Sequence, residues 1–145
     1  MEVRVLEGTK IITANQFACR KDITSVIIPD SVTSIEEAAF ADCWNLSSVI
    51  IPDSVTSIDT AAFARCLSLD NVDIPASVHY IADYAFQGCD SLQTITFGGL
   101  TKMDVDAGVF EDCTSLKAIK VPNRYLDIYA DMIPDALQGL LIGRY

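Results

Sequence analysis

Four cysteines, Cys43, Cys66, Cys89 and Cys113, recur at intervals of 23, 23 and 24 residues, and a fifth, Cys19, stands out of step. Regularly spaced thiols invite disulfide formation, metal ligation or nucleophilic attack. If the interval is one coil of a stack, successive cysteines sit about 5 Å apart, within the Cα range of a bridge. A column of identical inward residues is also a ladder of small hydrophobes, and that reading is favoured. No C-x-x-C pair occurs, so the zinc pattern is absent. The expectation is buried, reduced thiols.

The other chemically capable residues do not assemble a site. His79 is the only histidine, and no nucleophile-and-carboxylate pattern of a known type surrounds it. It reads as a surface histidine on a strand. Glu36, Glu37, Asp59, Asp83, Asp104 and Asp106 are scattered, and no Asp-x-Asp-x-Asp-Gly loop gathers them. No phosphate-binding loop is present. The chain therefore reads as a non-enzyme with no catalytic residues, no cofactor and no metal site.

What would hold these residues is a repeat. Phe17, Phe40, Phe63, Phe86 and Phe110 are spaced by 23, 23, 23 and 24 residues. Pro29, Pro52 and Pro75 keep the same interval; Gly98 takes the next proline slot, and Pro122 follows. The unit reads A-F-x-x-C-x-x-L-x-x-V-x-I-P-x-S-V-x-x-I. A piece this short cannot bury its apolar side chains alone, but stacked copies bury a continuous core. Val49-Ile50-Ile51 and its equivalents are β-branched and end at proline, which predicts a short strand. Pro-Asp-Ser predicts a turn, with proline at its second position and Asp or Ser bonding back to the backbone. Val32 to Ile35 predicts a second short strand. Glu36 to Cys43 is alanine-rich and fits about one or two turns of helix. About six such coils make a rod roughly 25–30 Å long. The extra residue in the last interval predicts a bulge or longer turn between Gly98 and Phe110.

Ala39-Phe40, Cys43, Leu46, Val49, Ile51-Pro52, Val55 and Ile58, with their equivalents one period on, resemble the bacterial leucine-rich repeat of the BspA-like, Treponema pallidum type. The resemblance extends to about Pro122. It implies an α/β repeat solenoid: a right-handed, leucine-rich-repeat-like superhelix with short parallel β ladders, helical turns and a C-terminal helical cap. Members of that family are often bacterial surface proteins that bind proteins of a host or of neighbouring cells. The resemblance thus implies a protein-binding, adhesion-type module. An intracellular scaffold or self-associating structural protein is the alternative.

Composition agrees with a folded chain. At 145 residues, half of them apolar, one domain over 1–145 is expected. Residues 1–16 form a partial first repeat, 17–122 four to five repeats, and 123–145 the cap. The net charge of −10 argues against nucleic acid and favours solubility or a basic partner. No apolar run reaches the roughly 18 residues of a membrane span. The N-terminus shows no secretory pattern. A cytoplasmic place follows if Met1 is the native start, and a cell-surface or secreted one if the chain is a piece of a larger protein.

In chain order, Val3, Val5 and Ile12 match Val26, Ile28 and Ile35, while Arg20 takes the cysteine slot. Irregular end coils are normal in repeat proteins. The open N-terminal edge is a candidate contact for a second copy, although Glu2 and Arg4 discourage edge pairing. Gly98-Gly99 is expected to loosen its turn. Arg124 to Ile142 has helical character and is expected to cover the last coil, with Pro134 in the first turn of a second helix.

A protein partner would meet outward residues that the repeat leaves free. On the first ladder the outward column is Ile27, Ile50, Asp73, Thr96 and Lys120. On the second it includes His79 and Tyr80. Trp44 has no aromatic counterpart in other coils. It either covers a neighbouring coil edge, the favoured reading, or anchors a partner.

Overall fold

The computed structural model describes residues 1–103 and 108–144. Each repeat contributes two short strands, because two β-branched stretches end at a turn. Strands are numbered along the chain. The wide ladder holds β1 (Glu2–Arg4), β3 (Ser25–Ile27), β5 (Ser48–Ile50), β7 (Asn71–Ile74), β9 (Thr94–Phe97), β11 (Ala118–Pro122) and β12 (Leu141–Arg144). The narrow ladder holds β2 (Ile11–Ile12), β4 (Ser34–Ile35), β6 (Ser57–Ile58), β8 (Tyr80–Ile81) and β10 (Lys102–Met103). All pairings are parallel, and equivalent positions align coil to coil: Val3 with Val26, Val26 with Val49, and Val72 with Ile95. The partial first repeat is therefore a true coil.

The narrow ladder runs unbroken from β2 to β10. The wide ladder forms two sheets, β1-β3-β5 and β7-β9-β11-β12. Strands β5 and β7 lie side by side without paired register among the described residues.

The third side departs from a helix in detail. Here N–H groups alternate in direction. Phe17, Phe40 and Phe63 donate to Ala39, Ala62 and Ala85 carbonyls of the next coil at 2.8 Å, whereas Ala39, Ala41 and Cys43 donate to carbonyls three residues back. An α-helix needs every N–H to point four residues back. Left-handed backbone prevents that in two columns: Asn15, Ala38, Ala61 and Tyr84, then Cys19, Asp42, Arg65, Gly88 and Asp112. Asn15, Asp42, Gly88 and Asp112 are residue types that adopt positive φ readily.

The core lies between the three sides. Phe40, Cys43, Leu46, Val49, Ile51, Val55 and Ile58 are all buried, as are their counterparts one coil on. The phenylalanine rings stack at centroid distances of 5.2, 5.2, 5.4 and 6.2 Å from Phe17 to Phe110. The widest step falls at the longer interval. Met103 pairs with Ile81, so the coil is one residue short by that point. The expected insertion therefore falls after Met103, where residues 104–107, including Asp104 and Asp106, lie outside the described residues.

Three expectations are corrected. In the turn after each wide-ladder strand, Val32 N–H donates to Pro29 O at 3.1 Å, so proline holds the first position and not the second. The Ser31, Ser54 and Ser77 hydroxyls are buried there and find no partner among the described residues, so serine does not bond back as expected. Gly98-Gly99 is tight, not loose. A Cβ on Gly98 would stand 3.0 Å from Ala76 N, and one on Gly99 3.1 Å from Ala76 Cα. The glycines permit close approach of neighbouring backbone.

The end of the chain is only partly helical. A 3₁₀ turn at Asn123–Tyr125 leads into α1 (Leu126–Met132), and a second 3₁₀ segment covers Asp135–Leu140. The chain then returns as β12, which pairs Leu141 with Ile119 and Ile142 with Lys120. The cap thus carries a further rung of the wide ladder. Tyr129 of α1 is fully buried and packs on Phe97 with ring centroids 5.0 Å apart.

Candidate interaction surface

The wide ladder aligns Arg4, Ile27 and Ile50 in one outward column, and Asp73, Thr96, Lys120 and Ile142 in its continuation. Strand alternation sends Val26, Val49, Val72, Ile95 and Ile119 inward, which leaves this column outside. Ile27 is 39% exposed and Ile50 75%. Asp73 and Lys120 are exposed and Thr96 is half-buried. Beside Asp73 lies a shallow groove of about 310 Å³ whose lining includes Asp53, Asp73, Ile74, Thr96 and Arg144.

The other expected residues lie elsewhere. His79 and Tyr80 are exposed on the narrow ladder, where Tyr80 aligns with Ser57 and Lys102. Trp44 sits at the corner that leads into the wide ladder and is half-buried. Lys21 Nζ stands 3.6 Å from its ring centroid, and its indole N–H donates to Asp42 Oδ1 at 3.2 Å. Asp42 Oδ1 also holds Arg65 Nε at 3.0 Å. This cluster links three successive coils, so Trp44 covers a coil edge. The eight residues singled out in sequence thus divide among three places, with Ile27, Ile50, Asp73, Thr96 and Lys120 on one face.

Ile142, Arg144 and Asp53 were not foreseen as part of that face. The signal for the first two was weak: Leu141 aligns with Ile119, but Ile142 stands opposite Lys120 and Gly143 opposite Val121, and the intervening helix masks the period. Asp53 belongs to the turn, and nothing in its spacing shows that it faces Asp73.

The thiol column is structural. Cys43, Cys66, Cys89 and Cys113 each donate S–H to a phenylalanine carbonyl of the preceding coil, at 3.1, 3.2, 3.2 and 3.1 Å. Burial pushes the Cys43 and Cys113 thiols up to about 11 and raises those of Cys66 and Cys89 further. Such thiols are poor nucleophiles. Cys19 is the exposed one, and all five are free. Among the described residues, no group of three or more His, Cys, Asp or Glu could hold a metal ion, and no helix is long and apolar enough to cross a membrane.

Short parallel strands stacked at a 23-residue period, around an inward Leu, Phe and Cys core, define a leucine-rich repeat solenoid. The chain belongs to the family of the BspA type leucine rich repeat region, whose model matches residues 10–134 with six copies of the repeat. Solved structures share the fold. A leucine-rich repeat protein from Bacteroides ovatus is similar at 24% identity and a TM-score of 0.71, over 99% of this chain and 42% of that one. The T. pallidum leucine rich repeat protein gives 21% and 0.66, over 94% of this chain and 79% of its own. The pneumococcal vaccine antigen PcpA gives 16% and 0.75, over 99% and 41%. The chain thus spans less than half the length of the first and third of these. No curated protein matches the sequence. Family and fold together identify a protein-interaction module.

Proposed function

We propose that the chain is a non-enzymatic, adhesion-type binding module that offers its wide strand ladder to a protein partner. The observation that carries this reading is Ile50, which is 75% exposed at a position where the scaffold does not need it. Ile27 and Ile50 stand side by side on paired strands, and contiguous exposed apolar surface is what marks a contact site. The membership of the family and the likeness to a vaccine antigen support an exposed role. The acidic chain has no nucleic-acid footprint.

Pull-down with the immobilised chain, followed by titration of the retained protein, tests this. Ile50→Asp and Ile27→Asp are expected to release the partner, while His79→Ala is expected to keep it. Equal retention by all variants overturns the reading.

A second reading, a self-associating scaffold, rests on β1, which among the described residues pairs with β3 alone, since an unpaired strand side is a template for association. Light scattering separates the two. A mass that stays monomeric at all concentrations removes self-association.

A further inference from the structure

The charge of this protein is not evenly spread. Residues 24–101 hold ten carboxylates and one basic residue, Arg65. Arg65 is already engaged with Asp42 at 3.0 Å. The carboxylates of Asp53, Asp70 and Asp73 are exposed, and no ion pair joins any of them to a base among the described residues. Arg144 shares the groove with Asp53 and Asp73, but its Nη2 points to the Phe97 carbonyl at 3.5 Å. The other cationic side chains of the wide ladder, Arg4, Lys117 and Lys120, stand on β1 and at or beside β11, toward its two ends.

Of these carboxylates, Asp73 adjoins the exposed aliphatic pair. Asp73 is the equivalent of Ile50 on the next strand, and it rims the groove. An apolar centre with an acidic margin selects for its complement. From this we infer that the wide ladder takes a cationic peptide segment that carries aliphatic side chains. An aliphatic side chain lies against Ile27 and Ile50, and a neighbouring lysine or arginine meets Asp73 and Asp53. Successive same-side residues of an extended peptide are about 6.5–7 Å apart, so one aliphatic and one basic residue two positions apart reach both features. The inference rests on the binding-module reading and names the chemistry of its partner.

The test is selection of a random displayed peptide library on the intact chain, followed by fluorescence anisotropy with selected peptides. The expected peptides carry Lys or Arg next to Leu, Ile or Val. Ile50→Ser and Asp73→Lys each weaken them at least ten-fold, and added salt weakens them further. Glu37→Lys and Asp59→Lys change the net charge as much as Asp73→Lys but lie beyond the narrow ladder, and they leave affinity within about two-fold. Equal weakening by all three charge reversals means diffuse attraction and overturns the inference. Acidic or uncharged peptides that depend on Ile50 also overturn it, yet leave the binding-module reading in place. If no peptide depends on Ile50 or Asp73, both readings fall.

Discussion

The Tyr129 hydroxyl donates a 2.7 Å hydrogen bond to the Gly99 carbonyl, 30 residues upstream. It also accepts the Thr101 N–H at 2.9 Å, and Thr101 in turn donates its hydroxyl to Val78 O at 2.8 Å. The bend that lacks the repeat's proline is therefore closed by a side chain from the C-terminal segment. Tyr129→Phe leaves a buried N–H and C=O unpaired, a loss of about 1–3 kcal/mol. Tyr129→Ala adds a cavity and costs about 3–5 kcal/mol. Urea unfolding of the two variants checks both the order and the size.

Gly98→Ala is expected to destabilise by about 1–3 kcal/mol, because its Cβ meets Ala76 backbone. Were the bend loose, the same change would stabilise through the unfolded chain by about 0.4–1 kcal/mol. Thermal melting distinguishes the signs.

Thiol labelling of the native protein is expected to modify Cys19 first and to spare Cys66 and Cys89 until unfolding. Stability is expected to fall as pH rises from about 9 towards 11. The sign follows from linkage: the folded-state values of Cys43 and Cys113 lie above the ordinary 9.0, so the unfolded state releases its protons first. The stability those neutral thiols contribute is complete below pH 9. A Cys43→Ala, Cys113→Ala double variant should show a shallower pH dependence of melting over that range, with the remainder carried by Cys66 and Cys89, whose thiols are raised further.

Phe63→Ala removes one ring from a stack with neighbours at 5.2 and 5.4 Å. A loss of about 3–5 kcal/mol is expected, and Phe63→Leu should cost less because it keeps most of the volume. Denaturant titration reads both.

Most of the scaffold was legible in the sequence because a stack copies one solution: Phe40, Cys43, Val49 and Ile58 each return in the next coil with the same burial. The wide-ladder column was legible for the same reason, since strand alternation fixes which residue points out. What was not legible depends on contacts between coils. The Ala-rich stretch favours helix by local propensity, yet inter-coil hydrogen bonds hold it in turns with two left-handed residues per coil. Gly98 reads as flexible alone and as tight only beside Ala76. Trp44 is distinctive by type, but Lys21 and Asp42 decide its role. The pairing of β12 with β11 follows an irregular insertion that hides the period.

The central claim is that the repeat places some residues in the scaffold and leaves others for binding. The direct measurement compares Ile58→Ser and Ile50→Ser by thermal melting and by titration of a selected peptide. Ile58 is fully buried and Ile50 is 75% exposed. The account predicts that Ile58→Ser melts far below the parent, by about 2–5 kcal/mol of lost stability. It predicts that Ile50→Ser melts within about 0.5 kcal/mol of the parent and loses the peptide. An Ile50→Ser variant that unfolds like Ile58→Ser, or that binds like the parent, contradicts it.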